Sequence, residues 1–346
     1  MKISLVATVK DAGEHVAAFL QSVRAQGRPP DEVVIVDGGS IDGTRETLRS
    51  ATDVTLIESP GANIARGRNM AIRAAAHDVI AVSDADCVLG PDWLAHLERA
   101  LEDGADVAMG FYRPIARSFF EACAAAVSVR DEDEVDPDRF MPSSRSIAFR
   151  RESFERVGGY PEWLEIGEDM YLNHRFRELD ARMEFVPRAV AYWRIRPTPA
   201  AMWRQYYRYA EGDGLGGMHP ERHAIRLGVY GLLAGALLAR RRGPLALLGA
   251  AGALYARRPL RRAFRLLPAR PVERAAAVVA VPALMAVADA ARMAGYLAGL
   301  RRRVAGRHPD DPVPRTDPAH PVAGGPLTRP SRRFSAPGEL PPRAPR

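Results

Sequence analysis

The chain has 346 residues, a net charge of +7 and 47% hydrophobic residues. This length exceeds the usual size of one domain, so we expect one large α/β unit with a further segment attached. Cys87 and Cys123 are the only cysteines. The first apolar run is very short and turns polar at Lys10, so no secretory signal is expected. Both features argue against a secreted protein and predict a catalytic part in the reducing cytosol.

The charge is distributed unevenly. Residues 224–346 contain 22 arginines and 6 acidic residues, whereas residues 1–223 contain 27 basic and 36 acidic residues. A basic segment of this kind is typical of proteins that bind an anionic surface, either lipid headgroups or nucleic acid. The arginines lack the interleaved aromatic residues that stack on bases, so we expect no nucleic-acid partner.

Short apolar runs alternate with amphipathic stretches through residues 1–110. This pattern predicts parallel strands joined by crossover helices. The predicted strands span 3–9, 32–37, 54–58 and 79–83, and the predicted helices span about 13–25, 43–50 and 63–76. Polar clusters follow three of the strands, and the carboxyl ends of strands line the ligand crevice of open α/β sheets. We therefore expect a ligand site at this edge.

Residues 111–200 are less periodic. They contain an acidic run at 131–138, a polar loop at 142–146 and a Gly-Gly-Tyr-Pro turn at 158–161. We interpret them as the second half of the same domain, carrying loops that border the binding site of an acceptor substrate. The predicted catalytic domain therefore spans residues 1–223.

Residues 224–301 contain apolar blocks at 227–239, 244–256 and 275–288, separated by arginines. Each block is shorter than the roughly 18–20 uncharged residues of a spanning helix. In a membrane hairpin the arginine turn at 240–242 would face outside, against the positive-inside rule. We predict helices that lie in the cytoplasmic membrane interface with arginines at the headgroups. A soluble Ala/Leu-rich helical bundle is the alternative. Residues 302–346 are rich in Pro, Arg and Gly, which predicts a disordered tail.

Two carboxylates, Asp84 and Asp86, follow the apolar strand 79–83 in the segment IAVSDADC. Carboxylate oxygens are hard ligands that suit Mg²⁺ or Mn²⁺. A metal there could neutralise the charge that develops on a nucleotide diphosphate leaving group. An isolated Asp-Xaa-Asp also occurs in solvated turns, so the functional interpretation depends on the surrounding segments.

Four segments occur in series: LVATVKDAGEHV, VVIVDGGSIDGT, NIARGRNMAIRAA and IAVSDADCVLGPDWL. Their order and spacing resemble the family-2 glycosyltransferases with the GT-A fold, over residues 2–214. The resemblance implies an α/β fold with a mostly parallel sheet flanked by helices. It further implies inverting transfer from a nucleotide-sugar donor, expected to be a UDP-sugar, to a glycan or lipid-linked acceptor. The expected cofactor is Mg²⁺ or Mn²⁺, and the expected location is the cytoplasmic face of the cell membrane, on its anionic surface.

The resemblance implies a donor site. Its nucleotide-binding residues would be Thr8, Val9, Lys10, Asp37, Arg66, Arg68, Asn69 and Asp84. Asp37 would contact the base, although it could equally be a turn residue or a cap of the helix that begins near Gly43. Arg66 could equally belong to a solvated basic face. Asp86 would bind the metal, with Asp84 contributing through the ribose and metal-water network. Gly38 stands where family members usually have a second acid, which leaves the base identity open.

The segment YPEWLEIGEDMYLNHR resembles the Glu-Asp segment of the family. By this resemblance Asp169 is the general base that takes the proton of the acceptor hydroxyl, and Glu168 orients or assists it. The alternative is that both acids only stabilise the N-terminus of a helix beginning near Met170.

The resemblance also predicts residues near the acceptor and the diphosphate. They are Ser143, Ser144 and Arg145 of the loop PSSRS, and Gln205, Arg208 and Tyr209 of QYYRY. Tyr209 replaces the tryptophan of processive members. Trp193 stands where many members place a histidine that binds the metal. Metal binding is therefore expected to depend mainly on Asp86. Arg145 is a cation near the diphosphate that could compensate for the small number of metal ligands.

Two other classes stay open at this point. A catalytically inactive GT-A-fold scaffold that binds a nucleotide and the membrane is favoured by Trp193, but the retention of Asp84, Asp86 and Asp169 speaks against it. A sugar nucleotidyltransferase should carry a glycine-rich, basic signature after the first strand, and residues 10–14 offer only Gly13.

Overall fold

The computed structural model describes residues 1–306. They form one compact unit with an eight-stranded sheet at its centre. The strands are β1 (Ile3–Val9), β2 (Glu32–Asp37), β3 (Thr55–Glu58), β4 (Val79–Val82), β5 (Cys87–Leu89), β6 (Val107–Ile115), β7 (Ile147–Arg150) and β8 (Met183–Arg194). Alternate residues of β1 belong to two separate hydrophobic cores, with Leu5 and Ala7 in one and Val6 in the other. The sheet is therefore covered on both faces.

The helices of the sheet-containing part are α1 (Glu14–Arg24), α2 (Thr44–Arg49), α3 (Ile64–Ala74), α4 (Trp93–Glu102), α5 (Phe119–Ser128), α6 (Arg151–Arg156) and α7 (Glu168–Glu178). Four long helices follow: α8 (Pro199–Gly216), α9 (Pro220–Leu238), α10 (Arg242–Leu266) and α11 (Pro271–Val304). Caps define several of the N-termini. The Asn63 side chain accepts the amide of Arg66 at the start of α3, and Thr198 caps α8 next to a proline at its first position.

The strand order is β3-β2-β1-β4-β7-β6-β8-β5. The first four strands pair in parallel through consecutive crossover helices, and they match the strands and helices predicted for residues 1–83. The second half is mixed, because β7 runs antiparallel to both β4 and β6, and β5 runs antiparallel to β8. The expected α/β sheet is confirmed, and four of its seven strand pairs are parallel, as predicted.

Helices α8 and α11 pack with their backbones in close approach. A Cβ atom at Gly295 would lie 2.0 Å from the carbonyl oxygen of Tyr207, and one at Gly299 would lie 2.2 Å from that of Glu211. Only glycine permits this distance at both positions. The predicted domain boundary at residue 223 lies between these two helices in sequence. The contact therefore attaches α11, which follows the boundary, to α8, which precedes it. The functional division at that boundary stays a prediction.

Arginines of α10 bind an acidic segment of the sheet-containing part. Arg262 donates to the carbonyls of Ala126 and Val129 at 2.6 and 3.0 Å, and its Nε lies 2.7 Å from Glu134. Arg261 and Arg265 pair with residues 131–134 as well. We expected the arginines of this region at lipid headgroups. For these three that expectation is corrected, because the carboxylates at 131–134 already neutralise them.

By length and composition one helix in the described part of the chain, α11, could cross a membrane. Its most apolar 18-residue window has a mean hydropathy of 1.6, and 33% of that window is buried inside the protein. The apolar block at 275–288 is part of this longer helix, and the expectation that the blocks lie in the membrane interface stays a prediction. The helix continues to Val304, into the first residues of the predicted tail. The rest of the predicted disordered tail, residues 307–346, lies outside the described residues.

Candidate functional site

A cavity of about 2770 Å³ opens at the carboxyl ends of β1, β2 and β4. This is the edge at which the sequence predicts a ligand crevice. The predicted residues that line it are Thr8, Val9, Lys10, Arg68, Asp84, Asp86, Ser143, Arg145, Glu168, Asp169, Gln205, Arg208 and Tyr209. The structure therefore brings most of the predicted donor and acceptor residues to a single site.

The buried guanidinium of Arg68 joins two carboxylates from distant parts of the chain. It donates to Asp84 at 2.6 Å and to Glu168 at 2.5 Å, and only 3% of its side chain is exposed. Its guanidinium carbon also lies 5.3 Å from the centre of the Tyr160 ring. Burial opposes the charge of Arg68, but the two carboxylates raise its pKa well above the usual value. Arg68 thus connects the acid at the end of β4 to the first residue of α7.

The two acids after β4 have different surroundings. Burial raises the pKa of Asp84, but Arg68 and Arg145 outweigh it and lower the pKa overall. Burial and the neighbouring charge of Asp84 raise the pKa of Asp86. Within residues 1–306, the carboxylate of Asp86 makes no ion pair, and its recorded contact is with the Cys87 thiol at 3.8 Å. Its oxygens are therefore available to an incoming cation.

Helix α7 begins with the predicted catalytic pair. The preceding loop can approach α8 because Gly212 has no side chain: a Cβ there would lie 2.1 Å from the carbonyl of Ile166. Burial raises the pKa of Glu168 to about 7, although Arg68 opposes the rise. The two oxygens of Asp169 accept the amides of Met170 at 2.8 Å and Ser144 at 3.4 Å. These bonds orient the Asp169 carboxylate at the cavity wall.

Arg145 occupies the space beside Asp84 and Trp193. Its guanidinium carbon lies 4.4 Å from the centre of the Trp193 ring, and its Nε lies 3.6 Å from Asp84. It also donates to Ser143 at 2.8 Å and to Tyr209 at 3.3 Å. Strand pairing sets Trp193 directly opposite Cys87, beside Asp86. The tryptophan at the expected histidine position therefore supports a cation next to the two acids.

Four predicted residues do not line the cavity. Asp37 is 1% exposed and accepts from Ser40 and Arg45, which agrees with the turn alternative, because the N-cap of α2 is Gly43. Asn69 bonds Tyr160 and Glu162, and Ser144 bonds the hydroxyl of Tyr160. Arg66 is exposed on α3. Ligand contact by these four residues stays a prediction.

Two residues at the site were not predicted. Arg196 lines the cavity, and its charge lowers the pKa of both Asp84 and Asp86. Its position just after β8, at the end of a strand, is a signal that could have found it. Tyr160 is fully buried between Arg68 and Ser144. The Gly-Gly-Tyr-Pro turn marks its position but not its partners, which are distant in sequence.

Comparison with known proteins agrees with this geometry. Residues 4–158 match the model of the family described as Glycosyl transferase family 2. Residues 4–158 are therefore similar to this family. The O-antigen chain rhamnosyltransferase RfbN of Salmonella typhimurium is 24% identical over 222 residues, which cover 60% of this chain and 71% of RfbN. The succinoglycan biosynthesis protein ExoA of Rhizobium meliloti is 28% identical over 245 residues, which cover 65% and 74%.

A solved structure shares the fold of this chain. It is the mannosyltransferase PcManGT from Pyrobaculum calidifontis, determined in complex with GDP-Man and Mn²⁺. The TM-score is 0.55 at 20% sequence identity, and the match covers 84% of this chain and 87% of that one. The fold is therefore GT-A, as predicted.

Replacing Arg68 tests its role as the link between Asp84 and Glu168. Arg68→Gln leaves Glu168 buried without its cation, so the free energy of unfolding should fall by about 3–5 kcal/mol. Since Arg68 lowers the pKa of Glu168, that pKa should rise above about 7 in the variant. A carboxyl group whose pKa is higher in the folded state stabilises that state fully when the pH is below the pKa of the unfolded chain, 4.5 for glutamate. This stabilisation is lost as the pH rises from 4.5 through the folded pKa. The loss caused by Arg68→Gln should therefore be greater at pH 8 than at pH 5.

The measurement is urea-induced unfolding at both pH values. Arg66→Gln is the matched control, because Arg66 is exposed on the same helix, and it should change stability by less than about 0.5 kcal/mol. Equal stabilities of the two variants would contradict the structural role of Arg68.

Proposed function

We propose that the protein is an inverting glycosyltransferase that transfers a sugar from a nucleotide diphosphate donor, a UDP-sugar, to a glycan of the cell envelope or its lipid-linked precursor. The observation that carries this proposal is the Arg68 bridge. It ties Asp84, on the donor side, to the helix that presents Asp169, on the same cavity. Donor and acceptor groups of a transfer reaction need this kind of fixed proximity.

The proposed reaction uses Asp169 as general base. Its carboxylate takes the proton of the acceptor hydroxyl while the hydroxyl oxygen attacks the anomeric carbon of the donor. The bond from that carbon to the diphosphate breaks, and the nucleoside diphosphate leaves from the opposite face of the sugar. Attack and departure on opposite faces invert the anomeric configuration. The amides of Ser144 and Met170 hold the Asp169 carboxylate in position.

Divalent metal fits the residues at this site. Within residues 1–306 no group of three or more His, Cys, Asp or Glu residues could hold a metal ion, so the protein would supply few ligands. One oxygen of Asp86 accepts only the Cys87 thiol and the other makes no hydrogen bond or ion pair within residues 1–306, whereas both oxygens of Asp84 face arginines. We propose that Asp86, assisted by Asp84, holds Mg²⁺ or Mn²⁺, which would neutralise charge on the diphosphate. PcManGT, which shares this fold, was determined with GDP-Man and Mn²⁺, which supports the use of a divalent metal.

Arg145 and Arg196 would supply further positive charge for the leaving group. Both line the cavity beside the acids after β4, and the Nε of Arg145 is buried without a hydrogen-bond acceptor. The indole N–H of Trp193 is likewise buried and unpaired. Such donors in a water-poor site are available to phosphate oxygens. They compensate for the absence of a histidine ligand at position 193.

A membrane location is proposed from the surfaces of α9 and α10. Leu238 is 86% exposed and Leu247 is 73% exposed, and they flank the arginines at 240–242. Exposed leucines beside arginines are typical of helices that lie in an anionic lipid interface. The relatives RfbN and ExoA are named for O-antigen and succinoglycan synthesis, which supports an envelope acceptor; the cytoplasmic face is part of the proposal.

Substitution of the two central acids tests the chemistry. Asp86→Asn and Asp169→Asn should each lower transfer from the donor by about 100- to 10,000-fold, because one loses a metal ligand and the other the base. Asp78→Asn is the matched control, since Asp78 is exposed just before β4, at the opposite end of that strand from Asp84. The measurement is transfer and hydrolysis across a panel of UDP-, GDP- and dTDP-sugars with Mn²⁺, Mg²⁺ or EDTA.

Full turnover in EDTA would contradict the metal assignment, and normal activity of Asp169→Asn would contradict the base. No turnover of any nucleotide sugar by the unmodified protein would favour the inactive scaffold. A preferred donor with a base other than uracil would overturn the UDP assignment.

The membrane assignment has a separate test. Flotation with vesicles that contain anionic phospholipid should recover the full chain, and Leu238→Glu with Leu247→Glu should lower recovery by about tenfold or more, because the charges oppose insertion of α9 and α10. Ile41→Glu is the control, because Ile41 is 91% exposed in the sheet-containing part. Equal recovery of all three proteins would sink the membrane assignment.

A further inference from the structure

The cavity is larger than a nucleotide-sugar donor requires. Its donor half is the part lined by the residues after β1, β2 and β4. The volume of the whole cavity, about 2770 Å³, exceeds the roughly 300–1,000 Å³ of typical small-molecule sites. The donor residues account for one part of the lining, and the remaining part is formed by α9, α10 and α11. A second, larger substrate must therefore have chemistry that fits these three helices.

The helices contribute an apolar lining. Its large side chains are Ile225, Val229 and Leu233 of α9, and Leu245, Leu248 and Leu254 of α10. Ile225 and Leu254 are 67% and 70% exposed, so the apolar surface is open to an incoming molecule. Gly249 and Gly252 also line the cavity, and a Cβ at either position would meet nothing within 4 Å. This surface suits a hydrocarbon chain.

A continuous wall joins the two halves. Beginning at the acid after β4, each residue contacts the next in the order Asp84, Arg145, Tyr209, Tyr206, Arg292, Asp289 and Arg226. All of them line the cavity. Arg292 lies 4.1 Å from the centre of the Tyr206 ring and 3.2 Å from Asp289, which also pairs with Arg226 at 2.9 Å. The route from the donor acids to the apolar helices is thus lined with charged and aromatic groups.

Free cations lie along this part of the cavity. Arg130, which follows α5, and Arg258 of α10 both line it, and neither makes an ion pair in the described part of the chain. They lie on neighbouring elements, because Arg262 of α10 donates to the carbonyl of Val129. Unpaired arginines beside an apolar lining are complementary to an amphiphile that carries a phosphate group.

We propose that this half of the cavity binds the lipid part of the acceptor, a saccharide joined through a phosphate or diphosphate to a long hydrocarbon chain. The chain lies between α9 and α10, Arg130 and Arg258 bind the phosphate, and the saccharide reaches Asp169. This inference rests on the proposed transferase function and names its acceptor class.

Filling the apolar half tests the site. Gly252→Leu inserts a side chain into the cavity where nothing lies within 4 Å, and replacing glycine inside a helix favours folding by up to about 1 kcal/mol. Gly231→Leu is the matched control, because Gly231 is equally open within α9 but does not line the cavity. The probe is farnesyl diphosphate, compared with inorganic diphosphate and farnesol by titration calorimetry. Saturating nucleoside diphosphate and Mn²⁺ keep the donor half filled.

The full chain should bind farnesyl diphosphate at least about tenfold more tightly than either comparison compound. Gly252→Leu should weaken that binding by about tenfold or more, whereas Gly231→Leu should leave it unchanged. Arg258→Gln should also weaken it, in contrast to Arg301→Gln, because Arg301 lies on α11 outside the cavity lining.

Three results would overturn the site: unchanged binding by Gly252→Leu, equal affinity for inorganic diphosphate, or displacement of the lipid by the nucleoside diphosphate. If one of these results is found and the protein still turns over a nucleotide sugar, the proposed transferase function stands and only the lipid site fails. Specific lipid binding without turnover of any nucleotide sugar would instead overturn the acceptor role.

Discussion

The buried ion pairs of Arg68 are the constraint on which the rest of the site depends. One guanidinium neutralises Asp84, just after β4, and Glu168 of α7, with 3% of its side chain exposed. In so poorly hydrated a place, each carboxylate would be strongly destabilised without that cation. The same contact sets the distance between the turn after β4, which bears Asp86, and the helix that bears Asp169. Stability and the geometry of transfer are therefore coupled through a single side chain.

The helices after residue 216 extend this site and do not form a separate appendage in the described residues. Helix α11 packs on α8 through Gly295 and Gly299, and α10 binds the acidic segment at 131–134 through Arg261, Arg262 and Arg265. These contacts place apolar helix surface along the cavity that holds the catalytic acids. A catalytic centre and a lipid-facing surface can thus share one wall.

Much of the fold follows from local sequence pattern. The strands and helices of residues 1–83 were predicted within a few residues, because apolar periodicity and strand-end polar clusters are local signals. The partner of Arg68 could not be predicted in this way, since Glu168 lies 100 residues away in sequence. Charge counting likewise could not distinguish arginines at headgroups from arginines paired with residues 131–134. The antiparallel pairing of β7 is also a long-range property, set by tertiary packing.

The most direct test is a crystal structure of the protein with Mn²⁺ and the nucleoside diphosphate of its preferred donor. We expect an anomalous manganese peak at Asp86, the diphosphate facing Arg145, and Arg68 still bonded to both Asp84 and Glu168. A structure in which Arg68 leaves Glu168 to bind the diphosphate, or in which manganese binds away from Asp86, would contradict the account.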